Sequence, residues 1–166
     1  MRVAGDELNE CVIHYMKKVH SLVIGERTAE DIKIRIGSAY PTRNDDESVM
    51  EVRGLHLLSG SPRTVTIKGP EIRESMAEPL SMIIDALKRT LERTPPELLS
   101  DISDRGIMLA GGGALLKGLD MLISHETGIV THVAPDPLKC VVLGTGRVLE
   151  SPKQLGLLFS GRSRNG

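Results

Sequence analysis

The sequence predicts an α/β protein, because its last third alternates strands with helices while its middle pairs short strands with a long helix. Residues 106–110 form an apolar run that precedes three glycines and a periodic helical segment. A second strand at 130–133 and a helix at 138–150 follow, an order typical of a parallel sheet. The alternating residues 49–58 and 64–68 instead predict a small antiparallel sheet.

The composition of the 166-residue chain excludes several functional classes. Lys and Arg total 21 against 22 for Asp and Glu, so no basic excess favours a nucleic-acid partner. Aromatic residues make up 2% of the chain, too few for platforms that stack on single strands. Cys11 and Cys140 fit neither a disulfide framework nor the CxxC spacing of zinc sites. We expect a cytoplasmic protein with reduced thiols, no targeting segment and no membrane span.

Two amphipathic helices open the chain. The first follows Asp6, a good N-cap, and carries one apolar stripe at three- and four-residue spacing: Leu8, Cys11, Val12, Tyr15, Met16 and Val19. A second helix is predicted at 29–36, where Thr28 and Asp31 have the spacing of a capping box and Gly37 ends the pattern.

The middle and last thirds supply the remaining elements. Gly54 indicates a bulge in the first strand of the antiparallel sheet. The longest periodic segment, 72–91, contains Pro79, which predicts a kink or two helices meeting there, and Pro96 begins another helix. The apolar strand 106–110 is typical of a strand buried on both faces. A helix is predicted at 114–127 with Gly128 after it, and the tail 151–166 is predicted to be disordered.

Two segments could contact a ligand. Gly111, Gly112 and Gly113 join a strand to a helix, where glycines let a nucleotide approach backbone amides, although such turns also serve tight packing alone. The segment is neither a Walker loop nor GxGxxG. Residues 25–33 carry Glu26, Arg27, Glu30 and Lys33, which could edge a purine or ribose pocket or form an ordinary solvated first turn. No histidine spacing indicates a metal site, and no acid–base pair or nucleophile elbow is recognisable.

Several segments closely resemble the MreB family of bacterial actin homologues. They include residues 25–30 (GERTAE), 34–41 (IRIGSAYP), 95–98 (PPEL) and 109–116 (LAGGGALL). The resemblance runs in unbroken order over residues 2–150. It implies the C-terminal half of the actin-like ATPase (RNase H-like) fold with an inserted small α+β subdomain. Residues 2–24 and 96–150 would form an incomplete inner RNase H-like subdomain, and 25–95 the outer one.

The resemblance also implies a nucleotide site and its cofactor. Glu30, Asp31, Ile32 and Lys33 would line the adenosine side, and Gly111, Gly112, Gly113, Ala114 and Leu115 would pass beneath the base, ribose and phosphates. The cofactor would be ATP or ADP, with Mg²⁺ in the complete family protein. The family's phosphate-binding hairpins and catalytic acids lie upstream of the matched half. Because phosphoryl transfer needs phosphate clamps and a metal, we expect no hydrolysis and no catalytic residue in this chain alone.

The function implied is that of a cell shape-determining cytoskeletal subunit, or a fragment of one. Such a subunit binds ATP, forms filaments with MreB-family subunits, and organises wall synthesis through a membrane adaptor at the inner face of the membrane. A non-hydrolysing module that binds those filaments or their adaptor is the alternative. A sugar kinase or heat-shock ATPase would share the glycine turn but not residues 36–41 or 95–98. The missing strands of the inner sheet predict open edges, so the isolated chain should be unstable, oligomeric or paired with a complementary half.

Overall fold

The computed structural model describes residues 5–42 and 47–150, so the predicted disordered tail lies outside the described residues. Within these ranges the helices are α1 (Gly5–His20), α2 (Glu26–Ile36), α3 (Gly69–Ser75), α4 (Ala77–Glu92), α5 (Pro96–Arg105), α6 (Leu119–Thr127) and α7 (Cys140–Glu150). The strands are β1 (Leu22–Val23), β2 (Val49–His56), β3 (Pro62–Lys68), β4 (Ile107–Leu109) and β5 (Thr131–Val133). None of the described helices is long and apolar enough to cross a bilayer.

The antiparallel sheet has the strand order β1-β2-β3, as the alternating pattern predicts. The bulge predicted at Gly54 is wrong, because β2 and β3 pair in continuous register and Gly54 lies opposite Arg63. Glycine is needed there for a different reason. A Cβ at Gly54 would lie 2.5 Å from the carbonyl oxygen of Val23, so the close approach of β1 to β2 leaves no room for a side chain.

The main hydrophobic core lies where α1, α2 and α3 pack on this sheet. Its fully buried side chains include Val12, Met16, Leu22, Ile32, Ile67, Ile72 and Met76. Helix α1, which the resemblance assigns to the inner subdomain, shares this core with elements assigned to the outer one. The exact subdomain boundary stays a prediction.

Two helices meet near Pro79, as its position predicts. The break falls at Met76, between α3 and α4, and Pro79 lies in the first turn of α4, where its missing N–H is tolerated. Helix α2 begins at Glu26, three residues before its predicted start. Its N-cap is Gly25, which forms no side-chain capping bond, so the capping box predicted from Thr28 and Asp31 is wrong.

The parallel pair β4–β5 confirms the β-α-β order of the last third. The strand β4 is not buried on both faces as predicted, because Met108 is 63% exposed. The start of the helix predicted at 114–127 is also wrong. Residues Gly112–Leu115 form a single 3₁₀ turn, the chain then reverses through Gly118 at φ +71°, and α6 begins at Leu119.

Candidate functional site

The three glycines after β4 are used in different ways. Gly111 has φ +87°, a conformation that favours glycine, and its amide donates to the carbonyl oxygen of Pro137 at 2.7 Å. A Cβ at Gly112 would meet only the Leu138 side chain, at an ordinary 3.6 Å, and one at Gly113 would meet nothing within 4 Å. Neither a positive φ nor tight packing therefore requires glycine at positions 112 and 113.

Helix α2 provides the opposite wall of the site. Its Glu30 is exposed, and its Lys33 ammonium donates to the carbonyl oxygen of Gly5 at 3.1 Å. This bond joins the middle of α2 to the start of α1. It holds the lysine charge beside the glycine turn instead of leaving it free in solvent.

The two walls enclose a cleft of about 570 Å³. Small-molecule sites typically measure about 300–1,000 Å³, so the cleft is large enough for a nucleoside. Its lining comes from the first turns of α1, one face of α2, the glycine turn and the segment before α7: Gly5, Asp6, Leu8, Glu30, Lys33, Ile34, Gly112, Gly113, Leu115, Leu116, Lys117 and Leu138.

The end of α2 is tied directly to the end of the glycine turn. The Ala39 amide donates to the Lys117 carbonyl at 2.7 Å, and the Lys117 ammonium donates to the Arg35 carbonyl at 2.6 Å. Behind them, Gly118 packs so closely that an added Cβ would lie 3.1 Å from the Cβ of Tyr40. These contacts set the width of the cleft, since each wall is bonded to the other at its base.

The structure brings together most of the predicted nucleotide-binding residues. Those that line the cleft are Glu30, Lys33, Gly112, Gly113 and Leu115. Four others do not line it. Asp31 is exposed outside the cleft, Ile32 is fully buried in the core, Ala114 is buried beneath the turn, and Gly111 precedes the lining segment.

Sequence reasoning missed seven of the lining residues: Gly5, Asp6, Leu8, Ile34, Leu116, Lys117 and Leu138. Asp6 is not the predicted N-cap, because it lies within α1 after Gly5. Ile34 and Leu138 lie in segments that the ligand argument did not use. Lys117 had a signal, because it directly follows the glycine-rich motif and carries a positive charge. Among the described residues, no three His, Cys, Asp or Glu side chains come together in a way that could hold a metal ion.

Comparison with known proteins identifies a consistent set of relatives. A family model described as MreB/Mbl protein matches residues 1–156. The chain is 44% identical over 155 residues to the cell shape-determining protein Mbl of Bacillus cereus, covering 93% of this chain and 46% of the relative. It is 50% identical over 150 residues to the cell shape-determining protein MreB of Escherichia coli, covering 90% of this chain and 43% of the relative. The chain thus spans a little under half the length of these curated relatives.

Solved structures agree with the sequence comparison. The crystal structure of MreB5 of Spiroplasma citri bound to ADP superposes with a TM-score of 0.87 at 34% identity, covering 100% of this chain and 48% of that one. The same protein bound to AMPPNP gives a TM-score of 0.86. A MamK double helical filament, at 17% identity and a TM-score of 0.69, shares the fold. The predicted α/β, actin-like fold class is confirmed, with this chain forming about half of it.

Proposed function

The chain belongs to the MreB/Mbl family, whose relatives are cell shape-determining, actin-like proteins, and we propose that it contributes the adenosine-contacting side of an ATP- or ADP-binding cytoskeletal subunit. The family membership supports the cytoskeletal role. The ADP- and AMPPNP-bound states of the Spiroplasma citri relative support the nucleotide. This chain spans under half the length of its curated relatives, so the activity of a complete subunit is part of the proposal.

One observation carries the nucleotide proposal. Gly112 and Gly113 face a cleft, yet neither backbone conformation nor packing demands glycine there. A flat ligand lying directly on the backbone would explain both glycines, because a side chain at either position would occupy the space of the ligand. Across the cleft, the Glu30 carboxylate can accept hydrogen bonds from ribose hydroxyls, and the Lys33 ammonium can donate to acceptors of the adenosine.

We infer that this chain binds nucleotide without hydrolysing it on its own. Phosphoryl transfer requires groups that clamp the phosphates and a metal that offsets developing charge. The family resemblance assigns the phosphate-binding hairpins, the catalytic acids and the Mg²⁺ of the family to the half that this chain does not match. In this proposal Lys33 and Lys117 are the cleft's cations, and the remaining phosphate contacts come from that other half.

The wider cellular role follows from the family. We propose self-association into filaments with other MreB-family subunits, attachment to the inner face of the membrane through an adaptor, and direction of the wall-synthesis machinery. The alternative, a non-hydrolysing module that only binds such filaments or their adaptor, is not favoured, because the family match extends through the cleft residues.

Binding of a fluorescent ADP analogue to the full 166-residue chain tests the nucleotide proposal. Gly113→Val should weaken binding by at least about tenfold, since the new side chain enters space that the ligand needs. Gly144→Val is the matched control, because a Cβ at Gly144 on α7 also meets nothing within 4 Å but lies outside the cleft. Circular dichroism checks that both variants fold.

Two results would contradict the proposal. If Gly113→Val binds ADP as tightly as the unmodified chain, the glycine turn does not contact the ligand. If the unmodified chain binds no ADP at millimolar concentration, the interaction-module alternative becomes the better account.

A further inference from the structure

Helix α1 has two apolar faces, and the main core covers only one of them. Leu8, Val12 and Met16 are buried against α2 and the sheet. Cys11 and Tyr15, which directly precede the buried Val12 and Met16, are half-buried, and Val19 is 55% exposed. The apolar stripe of α1 is therefore wider than the core requires.

The second face forms one wall of an open groove. The other wall is built by the end of α3 and the first half of α4, where Pro79 and the 48%-exposed Met82 continue the apolar surface. The groove has a volume of about 560 Å³. Its α1 wall extends from Glu7 to Val19, about 18 Å at 1.5 Å per residue, which matches roughly three turns of a helix laid alongside.

Carboxylates from both walls surround this apolar floor. Glu7 and Glu10 lie on α1, Glu74 on α3 and Glu78 on α4. These four glutamates outnumber Lys18, so the rim is net negative. Like charges on two facing helices repel each other, so a cation placed between them would relieve that repulsion.

Two groups at the floor of the groove, the Cys11 thiol and the Tyr15 hydroxyl, have raised pKa values. Burial raises the pKa of the Cys11 thiol, and Glu78, Glu7 and Glu10 raise it further from both walls. Burial, then Glu71 and its hydrogen bond, raise the pKa of Tyr15, whose hydroxyl donates to Glu71 at 3.3 Å. The floor is thus partly buried, and at Cys11 the rim glutamates add to the effect of burial.

We propose that the groove between α1 and α3–α4 binds a basic amphipathic helix of a partner protein. Apolar side chains of that helix lie on the floor formed by Cys11, Tyr15, Val19 and Met82, and its Lys or Arg side chains contact the rim glutamates. Helix-in-groove recognition uses this combination of an apolar stripe and flanking charge. Anionic lipid, nucleic acid and a second copy of this acidic face are all disfavoured by the same charge.

The groove is separate from the nucleotide cleft. Both use α1, but Glu7, Glu10 and Cys11 line the groove while Gly5, Asp6 and Leu8 line the cleft, and the two linings share no residue. Partner binding can therefore be tested without altering nucleotide binding, and ADP affinity serves as a check on each variant.

The first experiment measures binding of a labelled synthetic helix to the full chain by fluorescence anisotropy. The peptide has about 12 residues, the length that spans the wall of about 18 Å at 1.5 Å per residue, with Leu at every third or fourth position and Lys and Ala elsewhere. The double variant Glu10→Lys with Glu78→Lys should weaken binding at least about tenfold, because both exposed side chains lie on the rim. The double variant Glu97→Lys with Asp101→Lys makes the same charge change on exposed α5, outside the groove, and should leave binding unchanged. Equal binding by the groove variant, or equal loss with the α5 variant, would overturn the proposal.

The two cysteines locate the bound peptide. Cys11 lies in the groove, whereas Cys140 begins α7 on a different exposed apolar surface. Saturating peptide should slow the reaction of Cys11 with a bulky maleimide by about tenfold and leave Cys140 unchanged. Protection of Cys140 instead would mean non-specific adsorption to α7. Protection of Cys11 by higher chain concentration alone would mean that a second copy fills the groove, and either result would overturn the proposal.

Discussion

The first region of the chain, residues 5–92, has a finished core, whereas the second region, residues 96–150, does not. Most of the buried apolar side chains among the described residues belong to the first region, and five, including Leu119 and Ile123, belong to the second. Helices α5 and α7 contain no buried residue at all. In the second region Met108 and Val142 face solvent, at 63% and 72% exposure.

This difference teaches that apolar pattern and burial are separate properties. A pattern shows which face of an element avoids water, but a second layer must be present before that face is buried. Soluble monomers seldom expose large contiguous apolar patches, so the second region needs a covering partner. In the proposed function that cover is the other half of an MreB/Mbl-type subunit.

The sharpest test applies one substitution to both regions. Met16→Ala removes a fully buried side chain of α1 and should lower the free energy of unfolding by about 3 kcal/mol, through lost transfer energy and a residual cavity. Met108→Ala on exposed β4 should lower it by less than about 1 kcal/mol. Urea denaturation followed by circular dichroism measures both. Equal losses would mean that the second region is packed in solution.

Two glycines allow the same steric clash to be placed in each region. A Cβ at Gly54 would lie 2.5 Å from the Val23 carbonyl oxygen, and one at Gly106 would lie 2.5 Å from that of Val130. Alanine at either site should cost about 1–3 kcal/mol. We expect Gly54→Ala to lower global stability, and Gly106→Ala to speed hydrogen exchange only around β4 and β5. Exchange that rises across the whole chain in Gly106→Ala would show that the regions unfold as one unit.

The exposed face of α7 should drive self-association of the isolated chain. Val142→Lys should weaken association by about tenfold, because a charge replaces apolar surface that would otherwise be buried between copies. Val49→Lys makes the same change at an exposed site of β2 in the first region and should leave association unchanged. Sedimentation velocity at several concentrations measures both. A monodisperse monomer that unfolds in a single sharp transition would contradict this expectation.

The fold was predictable where local pattern and tertiary environment agree. Alternation at 64–68 correctly indicates a strand, and Pro79 correctly indicates a junction between helices. The start of α6 was mispredicted, because Leu115 and Leu116 continue the apolar period through the 3₁₀ turn. The exposure of Met108 could not be predicted, since it depends on what lies above the sheet and not on β4 itself.

The site was predictable in outline only. The pattern alone identifies the glycine turn and α2 as segments that could contact a ligand. Their roles in nucleotide binding come from the family resemblance, because tight packing would also explain the glycines and a solvated first turn would also explain α2. Ile32 was carried over with its neighbours, although its spacing from Ala29 and Ile36 already placed it on the buried face. Asp6 and Leu138 were missed because only the tertiary fold brings them to the cleft.

The smallest predicted effect concerns a contact between the regions. Lys88 of α4 donates to Glu126 of α6 at 2.6 Å, and this hydrogen bond and charge hold the pKa of Glu126 below its ordinary 4.5. A carboxyl whose pKa is lowered by folding stabilises the native state at pH values above its unfolded-state pKa, and that contribution disappears as the pH falls through its folded-state pKa.

The free energy of unfolding of the unmodified chain should therefore decline below about pH 4.5 more steeply than that of Glu126→Gln. The control variant Glu97→Gln, on exposed α5, should show the same decline as the unmodified chain. Unfolding midpoints measured between neutral and acidic pH give the comparison. Identical slopes in the parent and Glu126→Gln would mean that this pair does not join the two regions in solution.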